Sequence, residues 1–485
     1  MKKKFKIMIL VVSRKQPKSL LKLIESVQET ARNRDQIGLL IYLDDDDVPS
    51  QEMIRQNASK FTISVRCVTG LRKASWLSMY NLLFLDQEWE AEIYGYATDK
   101  MQFKTKEWDL AVYGCYQESK SSLLMGYPFD SRHWGMVAAI GFVSRQWIEC
   151  IGTIFPSLFP YWFEDLWISQ VAEMAGNKCI IPVFVEFPLA GHDRTARFEN
   201  HIFWHQYYIH RLPDRIEDSI KILTAIYGSR SKIPPEAIEH LTLWAKQQLK
   251  LLLDIIPHEI EETEKNRSGS QSHTIKEAVE EMQNNLYMGK TCLEVVARDY
   301  PNLYPIISQE IKNYLCKLID ELKTIHLQPE TYFSKASIPP SDKPAAINFS
   351  LKETACIYLR KRILEALERE RVEQSYFLFE TLLLASDSQA LLGLIEETFN
   401  FLSESPQFEN YVKIQAGYEY ENALARPLLA VIKNNRKKIR ADFSLLREFA
   451  IEGGVFRPQN LSFLISTVPD LVSCCLEKGG REERG

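Results

Sequence analysis

Short apolar runs separated by helix-like stretches organise the first hundred residues. Four of these runs are continuous enough to predict buried strands: Phe5–Val12, Ile37–Leu43, Phe61–Val68 and Glu92–Ala97. Between them, apolar residues recur at three- and four-residue spacing, as in residues 18–32, which predicts amphipathic helices packed by one face. Strands and helices that alternate in this way predict an α/β fold with a mostly parallel sheet flanked by helices.

The pattern changes after about residue 216, where strand-like runs give way to helical periodicity. A last strand is predicted at Cys179–Phe187, and helices are predicted in most of the chain from there to residue 451. A polar stretch at residues 259–273 has the composition of a flexible linker. We therefore predict an α/β domain at residues 1–225 and an all-α C-terminal domain at residues 226–485.

Composition and missing motifs exclude several classes of protein. The chain has 485 residues, 45% of them hydrophobic and 25% charged, and its net charge of −5 gives no reason to expect a nucleic-acid or membrane surface. No stretch approaches the roughly twenty apolar residues of a membrane span, and Ser13 interrupts the apolar amino terminus too early for a signal peptide. Nine cysteines without metal-ligand spacing predict reduced thiols and a cytoplasmic protein. The absence of GxGxxG and of GxxxxGK[ST] argues against a Rossmann dinucleotide site and a P-loop.

Acidic residues follow two of the predicted strands. Ile37–Leu43 runs directly into four aspartates, residues 44–47, and the fourth strand is followed by Asp99. In an open α/β sheet, ligands bind outside the carboxyl ends of the strands. Carboxylates gathered there would suit Mg²⁺ or Mn²⁺ and a phosphate-bearing substrate. The structural alternatives are a solvated turn in which Asp47 or Ser50 caps the next helix, and a turn or cap role for Asp99.

Six segments, taken in order, resemble one family. They are VVSRKQPKSLLKLIESVQETA, LLIYLDDDDVPS, GLRKASWLSMYNLLF, IYGYATDKMQFKTKEWD, FPYWFEDLWISQVAEMAGNK and VEFPLAGHDRTARF. In this order the first 200 or so residues resemble nucleotide-sugar glycosyltransferases of the GT-A fold, closest to the family 2-type enzymes of bacteria and phages. The resemblance covers less than half of the chain and leaves the C-terminal helical domain unassigned.

The resemblance implies a nucleotide-binding set near the ends of the first three strands. The loop after the first strand would border the nucleotide, an aspartate after the second strand would contact the nucleobase or ribose, and the third segment would frame the nucleotide. The residues at the matching positions are Ser13, Arg14, Asp44, Asp45, Asp46, Gly70, Arg72 and Asn81.

The resemblance also implies a divalent cation. Asp99 matches the last acid of the motif that links a cation to the sugar diphosphate, but Thr98 and Lys100 flank it where the family usually offers a second carboxylate. The cation would then be held weakly, shared with the aspartates at 44–47, or partly replaced by the charge of Lys100. His192 is a further metal or diphosphate ligand in this interpretation, and its alternative is an ordinary loop histidine.

The acidic pair Glu164–Asp165 resembles the pair that supplies the catalytic base in these enzymes. A neutral alcohol is a poor nucleophile, so a base must take its proton. Asp165 is the predicted base and Glu164 the second candidate; the structural alternative is that Asp165 caps the helix that follows. The segment His201–His210 carries three histidines among aromatic residues, and we predict a packed helix there rather than a metal site.

These observations predict a glycosyltransferase that moves a sugar from a nucleotide-diphosphate sugar, with a UDP-sugar expected, to an acceptor hydroxyl. The reaction would be inverting and assisted by Mg²⁺ or Mn²⁺. Two alternatives stay open: transfer to hydroxylated bases in DNA, as in phage relatives, and a non-catalytic binding or scaffold protein, suggested by Thr98 and Lys100. The acceptor is not predicted. The helical domain could serve acceptor recognition or homo-oligomerisation.

Overall fold

A computed structural model of the chain shows the arrangement of these elements. It describes residues 2–71, 77–119, 121–135, 138–159, 163–187, 201–250, 275–327, 349–386, 389–417, 424–435, 443–453 and 458–482. Within these ranges the chain forms one eight-stranded sheet followed by helices. The predicted linker at residues 259–273 lies outside the described residues.

The strands and helices follow the predicted alternation through the first hundred residues. The strands are β1 (Lys3–Ser13), β2 (Ile37–Asp44), β3 (Ser64–Gly70), β4 (Trp89–Thr98), β5 (Gln102–Phe103), β6 (Met125–Asp130), β7 (Gly141–Ser144) and β8 (Lys178–Glu186). The helices between them are α1 (Pro17–Thr30), α2 (Val48–Asn57), α3 (Leu77–Phe84), α4 (Trp108–Glu118), α5 (Arg145–Ile151) and α6 (Glu164–Met174). The predicted α/β class is confirmed.

The sheet has the strand order β3-β2-β1-β4-β7-β6-β8-β5. The first four strands in this order are mutually parallel, and β6 is parallel to β8. The pairs β4–β7, β6–β7 and β5–β8 are antiparallel, so the sheet is mixed, with parallel pairs in the majority. Because β7 reverses direction between β4 and β6, β6 ends at the same edge of the sheet as β1, β2 and β4.

Burial explains why the central strands are continuous apolar runs. All eight residues of β2 are buried, which is the pattern of a parallel strand covered on both faces. Helix α1 covers one face through Leu20, Leu23, Ile24 and Val27, each with 0% exposure. Burying one such side chain contributes about 1.5–3 kcal/mol before the entropy cost of folding is counted. This core fixes the strand ends from which the candidate site is built.

Three strands escaped prediction because their sequences contain strand breakers or are very short. The sequence of β6, MGYPFD, includes Gly126 and Pro128, yet all six residues are buried. A register shift between Pro128 and Phe129 accommodates the proline. β5 has two residues and β7 has four, which is too short for alternation or periodicity to be recognised.

The later described residues are helical, as predicted. They comprise α7 (His201–His210), α8 (Leu212–Tyr227), α9 (235–250), α10 (Ile275–Asp299), α11 (Tyr304–Leu327), α12 (Phe349–Glu368), α13 (Val372–Leu383), α14 (Gln389–Glu404), α15 (Pro406–Gly417), α16 (Ala425–Asn435), α17 (Phe443–Gly453) and α18 (Pro458–Glu482). No helix in the described ranges combines the length and apolarity needed to cross a membrane.

The chain forms two compact units, and their limits do not coincide with residue 225. The first unit contains the described residues of Met1–Thr195, Glu217–Leu241 and Gly269–Ala345. The second contains those of Ala196–Ile216, Thr242–Ser268 and Ala346–Gly485. Helices α10 and α11 therefore belong with the sheet, where they pack on Phe129, Trp134 and Phe184.

The second unit is built around α7 and α13. Nine consecutive residues of α13 are buried, from Ser375 to Leu383. His210 of α7 is buried and its Nε2 lies 3.0 Å from Thr381 Oγ1. Desolvation lowers the pKa of His210 to about 3, so the imidazole is neutral in the folded unit. The helix predicted at His201–His210 is confirmed, and its aromatic residues are core residues.

Candidate functional site

The ends of β1 and β4 bring a hydroxyl and a carboxylate together. The parallel register places Val12 beside Thr98, so the next residue of each strand lies at the same edge. Ser13 Oγ donates a hydrogen bond of 2.6 Å to Asp99 Oδ2, and both residues are buried. Of the predicted site residues, Ser13 and Asp99 are thus in direct contact, although 86 positions separate them.

Arg14 neutralises part of the aspartate run after β2. Its Nη1 lies 2.6 Å from Asp44 Oδ2, and its Nη2 lies 3.4 Å from Asp46 Oδ2. Asp44 is buried, whereas Asp45 and Asp46 are exposed. A charge-assisted bond of this kind orients both side chains. Arg14, Asp44 and Asp46 therefore form one cluster at the edge where the nucleotide was predicted.

Asp47 has a structural role. It is the N-cap of α2, where its Oδ1 accepts a hydrogen bond of 3.2 Å from Ser50 N, and it is fully buried. Its Oδ2 accepts a bond of 2.6 Å from the backbone N of Lys15, which has a left-handed φ of 52°. The N-cap role that was predicted as an alternative for Asp47 is therefore confirmed. The same side chain also fixes the loop after β1.

Gly70 ends β3 against the ring of Tyr42. A Cβ atom at position 70 would lie 2.5 Å from Tyr42 Oη. That hydroxyl donates a hydrogen bond of 2.8 Å to the carbonyl of Leu71. Burial, followed by the charges of Asp44 and Asp45, raises the pKa of Tyr42. Close packing therefore requires a glycine here. Arg72, the next predicted nucleotide contact, lies outside the described residues.

Asn81 on α3 holds a loop. Its Oδ1 accepts hydrogen bonds from the backbone N of Ile154 (3.0 Å) and of Phe155 (3.2 Å). Its Nδ2 donates to the carbonyl of Phe155 at 2.8 Å and to Ser157 Oγ at 3.3 Å. Both polar atoms of the amide are thus used to position residues 154–157. Direct contact between Asn81 and a nucleotide stays a prediction.

Glu164 and Asp165 begin α6. The helix starts after Phe163, whose φ of 70° is left-handed, and no side chain caps it there. Asp165 is the second residue of the helix and not its N-cap, so the alternative capping role predicted for it is wrong; its Oδ1 accepts a hydrogen bond of 2.8 Å from the N of Leu166. Glu164 Oε2 is buried and has no hydrogen-bond partner within the described ranges. A buried carboxyl oxygen without a partner is costly unless the group is neutral or a ligand supplies a donor.

The two carboxyl groups have perturbed pKa values. Burial, and then the charge of Asp165, raises the pKa of Glu164. Burial also raises the pKa of Asp165, but the charges of His133 and Arg132 act in the opposite direction. Perturbed groups of this kind are characteristic of catalytic sites.

Two buried tyrosines connect these acids with Asp99. Burial, followed by the charges of Glu164 and Asp99, raises the pKa of Tyr80 well above its usual value. Burial, followed by the charges of Asp165 and Glu164, does the same for Tyr96. Tyr80 Oη donates a hydrogen bond of 2.9 Å to the carbonyl of Ala97 in β4, so the phenol on which the charge of Glu164 acts lies against the strand that Asp99 follows.

Sequence reasoning missed the segment that follows β6. Asp130 ends this strand at the same edge of the sheet, and Arg132 and His133 come directly after it. The strand-end rule that identified Asp99 would have found Asp130 as well, had the breakers in β6 not concealed the strand. His192, predicted as a further ligand, lies outside the described residues.

The described oxygen donors fit a cation that shares its ligands with a substrate. No group of three or more His, Cys, Asp or Glu side chains in the described ranges converges as a metal site. Mg²⁺ and similar ions usually take one or two carboxylates and complete their shell with water and substrate phosphate. Asp99, already beside the Ser13 hydroxyl, offers one such carboxylate.

No protein-family model matches the chain, and no characterised protein matches it by sequence. Several solved structures are similar to it. The mannosyltransferase PcManGT from Pyrobaculum calidifontis, in complex with GDP-Man and Mn²⁺, has 11% identity and a TM-score of 0.35, with 67% of this chain and 88% of that chain covered. A TarS fragment from S. aureus with UDP-GlcNAc has 8% identity and a TM-score of 0.36, with 51% and 82% covered. GalNAc-T7 with UDP, GalNAc and Mn²⁺ has 10% identity and a TM-score of 0.31, with 38% and 43% covered.

The sheet, in which parallel pairs are the majority, and the helices that follow it agree with the predicted fold class. The chain has an α/β fold built on one mixed eight-stranded sheet, and the later described residues are helical.

Proposed function

We propose that this protein transfers a sugar from a nucleotide-diphosphate sugar to an acceptor hydroxyl, with inversion and with Asp165 as the base. The observation that carries the proposal is the half-buried Glu164–Asp165 pair at the start of α6, because the charges of Glu164 and of Asp99, at the carboxyl edge of the sheet, both act on the Tyr80 phenol. A sheet edge with two half-buried carboxyl groups of perturbed pKa and a separate carboxylate suits acid–base chemistry beside a phosphate group.

The donor side is formed by two clusters. Arg14, Asp44 and Asp46 would bind the nucleoside, because the guanidinium group and the carboxylates can form hydrogen bonds with the base and the ribose. Asp99 with Ser13 would face the diphosphate and hold Mg²⁺ or Mn²⁺. When bound, such an ion neutralises charge that develops on the departing nucleoside diphosphate.

The transfer step needs a base on the acceptor side. The acceptor O–H proton would pass to a carboxylate oxygen of Asp165 while the acceptor oxygen bonds to the anomeric carbon. The bond from that carbon to the diphosphate breaks, and its electron pair leaves with the diphosphate. Attack opposite to the leaving group gives inversion. Glu164, with its raised pKa, would stay neutral beside the base.

A donor screen by thermal shift tests the proposal. The full chain is melted with UDP-sugars first, then other nucleotide sugars, each with and without Mn²⁺. A ligand at 100 times its Kd stabilises the native state by about 2.7 kcal/mol, which gives a measurable shift. We expect at least one donor to raise the melting temperature in a Mn²⁺-dependent way, and that donor to be hydrolysed slowly with water as acceptor. A flat screen across all donors would reject the enzyme and favour a non-catalytic scaffold.

A further inference from the structure

Two cysteines meet where α4 packs on β8. Along β8, Cys179 and Ile181 belong to one hydrophobic cluster, whereas Ile180 and Phe184 belong to another, because alternate residues of a strand point to opposite faces of the sheet. Cys115 of α4 packs against the first of these clusters. One cysteine thus approaches this core from the helix and the other from the strand, and the two thiols share a hydrogen bond.

Hydrogen bonds to one short segment hold both cysteines in place. Tyr116, which follows the cysteine of α4, donates from its Oη to the carbonyl of Leu124 at 3.2 Å. Asn177, two residues before the cysteine of β8, donates from its Nδ2 to the carbonyl of Leu123 at 2.7 Å. Because Leu123 and Leu124 are consecutive, the end of α4 and the start of β8 are bonded to the same point of the chain.

The environment of the pair favours reaction at Cys115. All four cysteines compared in this paragraph are half-buried. The hydrogen bond with Cys179 lowers the pKa of Cys115, although burial acts in the opposite direction, and the same bond, followed by burial, raises the pKa of Cys179. Burial raises the pKa of Cys67 to about 12 and also raises the pKa of Cys150. Since the thiolate is the nucleophile, Cys115 is the thiol of this group that would attack an oxidant.

We propose that Cys115 and Cys179 form a site of reversible oxidation, at which hydrogen peroxide converts the two thiols into a disulfide. The Cys115 thiolate bonds to one peroxide oxygen, the O–O bond breaks, and the departing hydroxide takes up the proton that Cys115 had lost. Sγ of Cys179 then bonds to Sγ of the Cys115 sulfenic acid, the S–O bond breaks, and the hydroxyl leaves as water with the proton of Cys179. The two sulfurs lose two electrons, and the peroxide gains them to become two molecules of water.

The disulfide would lie away from the candidate active site. Cys179 is the second residue of β8, whereas the carboxyl edge of the sheet is at the other end of this strand, at Glu186. The loop that the bond would close contains β6, β7, α5 and α6. Because a disulfide restricts the unfolded chain over the loop that it closes, oxidation should stabilise the protein. The inference does not rest on the proposed function.

Peptide mapping of the full chain tests the site. The reduced protein is treated with hydrogen peroxide under native conditions, the remaining thiols are blocked with N-ethylmaleimide, and the unreduced digest is analysed by mass spectrometry. Three single variants are treated in parallel: Cys115→Ser, Cys179→Ser and, as the control, Cys150→Ser, which removes a half-buried thiol of α5. The wild-type chain is also treated in denaturing urea.

We expect the link between Cys115 and Cys179 to be the most abundant disulfide in wild type and in Cys150→Ser, and to be reversed by dithiothreitol. In Cys179→Ser, Cys115 should stop at the sulfenic acid, which dimedone labels. Oxidised wild type should unfold at a higher urea concentration than oxidised Cys179→Ser, which lacks the bond.

The yield of the link should fall in denaturing urea, where the nine cysteines of the chain are no longer held by the fold. A wild-type protein without the link, or with a yield no higher than that of links to Cys67, would overturn the inference. An equal yield from the folded and the unfolded chain would overturn it as well, because the fold would then not select the pair.

Discussion

Replacing Gly70 with alanine should disturb the end of β3 through a single contact. The new Cβ would lie 2.5 Å from Tyr42 Oη, a separation that side chains essentially never adopt. Tyr42 is buried and its hydroxyl is bonded to the carbonyl of Leu71, so the ring cannot simply move away. Overpacking of this kind typically costs about 1–3 kcal/mol.

A second substitution identifies the cause. In Gly70→Ala/Tyr42→Phe the offending oxygen is absent, and the nearest remaining atom, Cζ, is 3.2 Å away. Tyr42→Phe alone should cost about 0.5–1.5 kcal/mol for the lost hydrogen bond. We expect the double variant to be more stable than the sum of the two single effects by about 1 kcal/mol or more, the coupling expected of residues in contact.

Chemical unfolding of the four proteins measures this cycle, and Gly114→Ala is the matched control. Gly114 lies within α4, where an added Cβ meets no atom within 4 Å. That substitution should stabilise the protein by about 0.5–1 kcal/mol, because alanine loses less backbone entropy in a helix. Additive effects at positions 70 and 42, or a Gly70→Ala protein as stable as wild type, would refute the steric argument.

Three further predictions concern charged groups. Asp165→Asn should lower turnover by roughly 10²–10⁴-fold with donor affinity retained; collapse of donor binding would instead make it a donor contact. Asp99→Asn should abolish Mn²⁺-dependent donor binding, because an amide cannot replace the anionic ligand. The control is Glu92→Gln at an exposed position of β4, which should bind the donor as wild type does. If Asp99→Asn and wild type bind the donor with equal Mn²⁺-dependent affinity, Asp99 does not hold the cation. The pKa of His210 falls from 6.5 to about 3 on folding, so this residue should not affect the free energy of unfolding above pH 6.5. Between pH 6.5 and about 3, the free energy of unfolding should fall by about 1.4 kcal/mol for each pH unit, because the unfolded chain binds a proton that the folded unit does not. In His210→Gln that acid sensitivity should be smaller when unfolding is followed against pH, and an unchanged slope would contradict this origin.

The sequence was sufficient to predict those parts of the fold that depend on residues close together in the chain. The strands β1 and β2 are apolar runs, so their burial could be predicted directly, and the acids that follow β2 and β4 were placed at the correct edge. The N-cap role of Asp47 was also predictable, because a cap is a local contact between neighbouring residues.

The sequence was insufficient where a residue acts over a long separation. That Asn81 positions a loop 73 residues later depends on how α3 packs, which no local pattern encodes. Asp130 and His133 follow a strand interrupted by Gly126 and Pro128, and tertiary packing overrides the poor strand propensity of those residues. The pairing of Ser13 with Asp99 required the register between β1 and β4.

The membership of α10 and α11 in the sheet unit has a consequence for synthesis on the ribosome. The strand β8 ends at Glu186, but the helices that cover Phe129 and Phe184 end only at Leu327, about 140 residues later. At about 5–20 residues per second, the apolar surface around these rings would wait roughly 7–30 s for its cover. During that interval the nascent chain should be a substrate for chaperones that bind exposed apolar segments. A stop codon placed between Glu186 and Tyr304 should therefore yield an aggregation-prone product, even though all eight strands of the described sheet have been made.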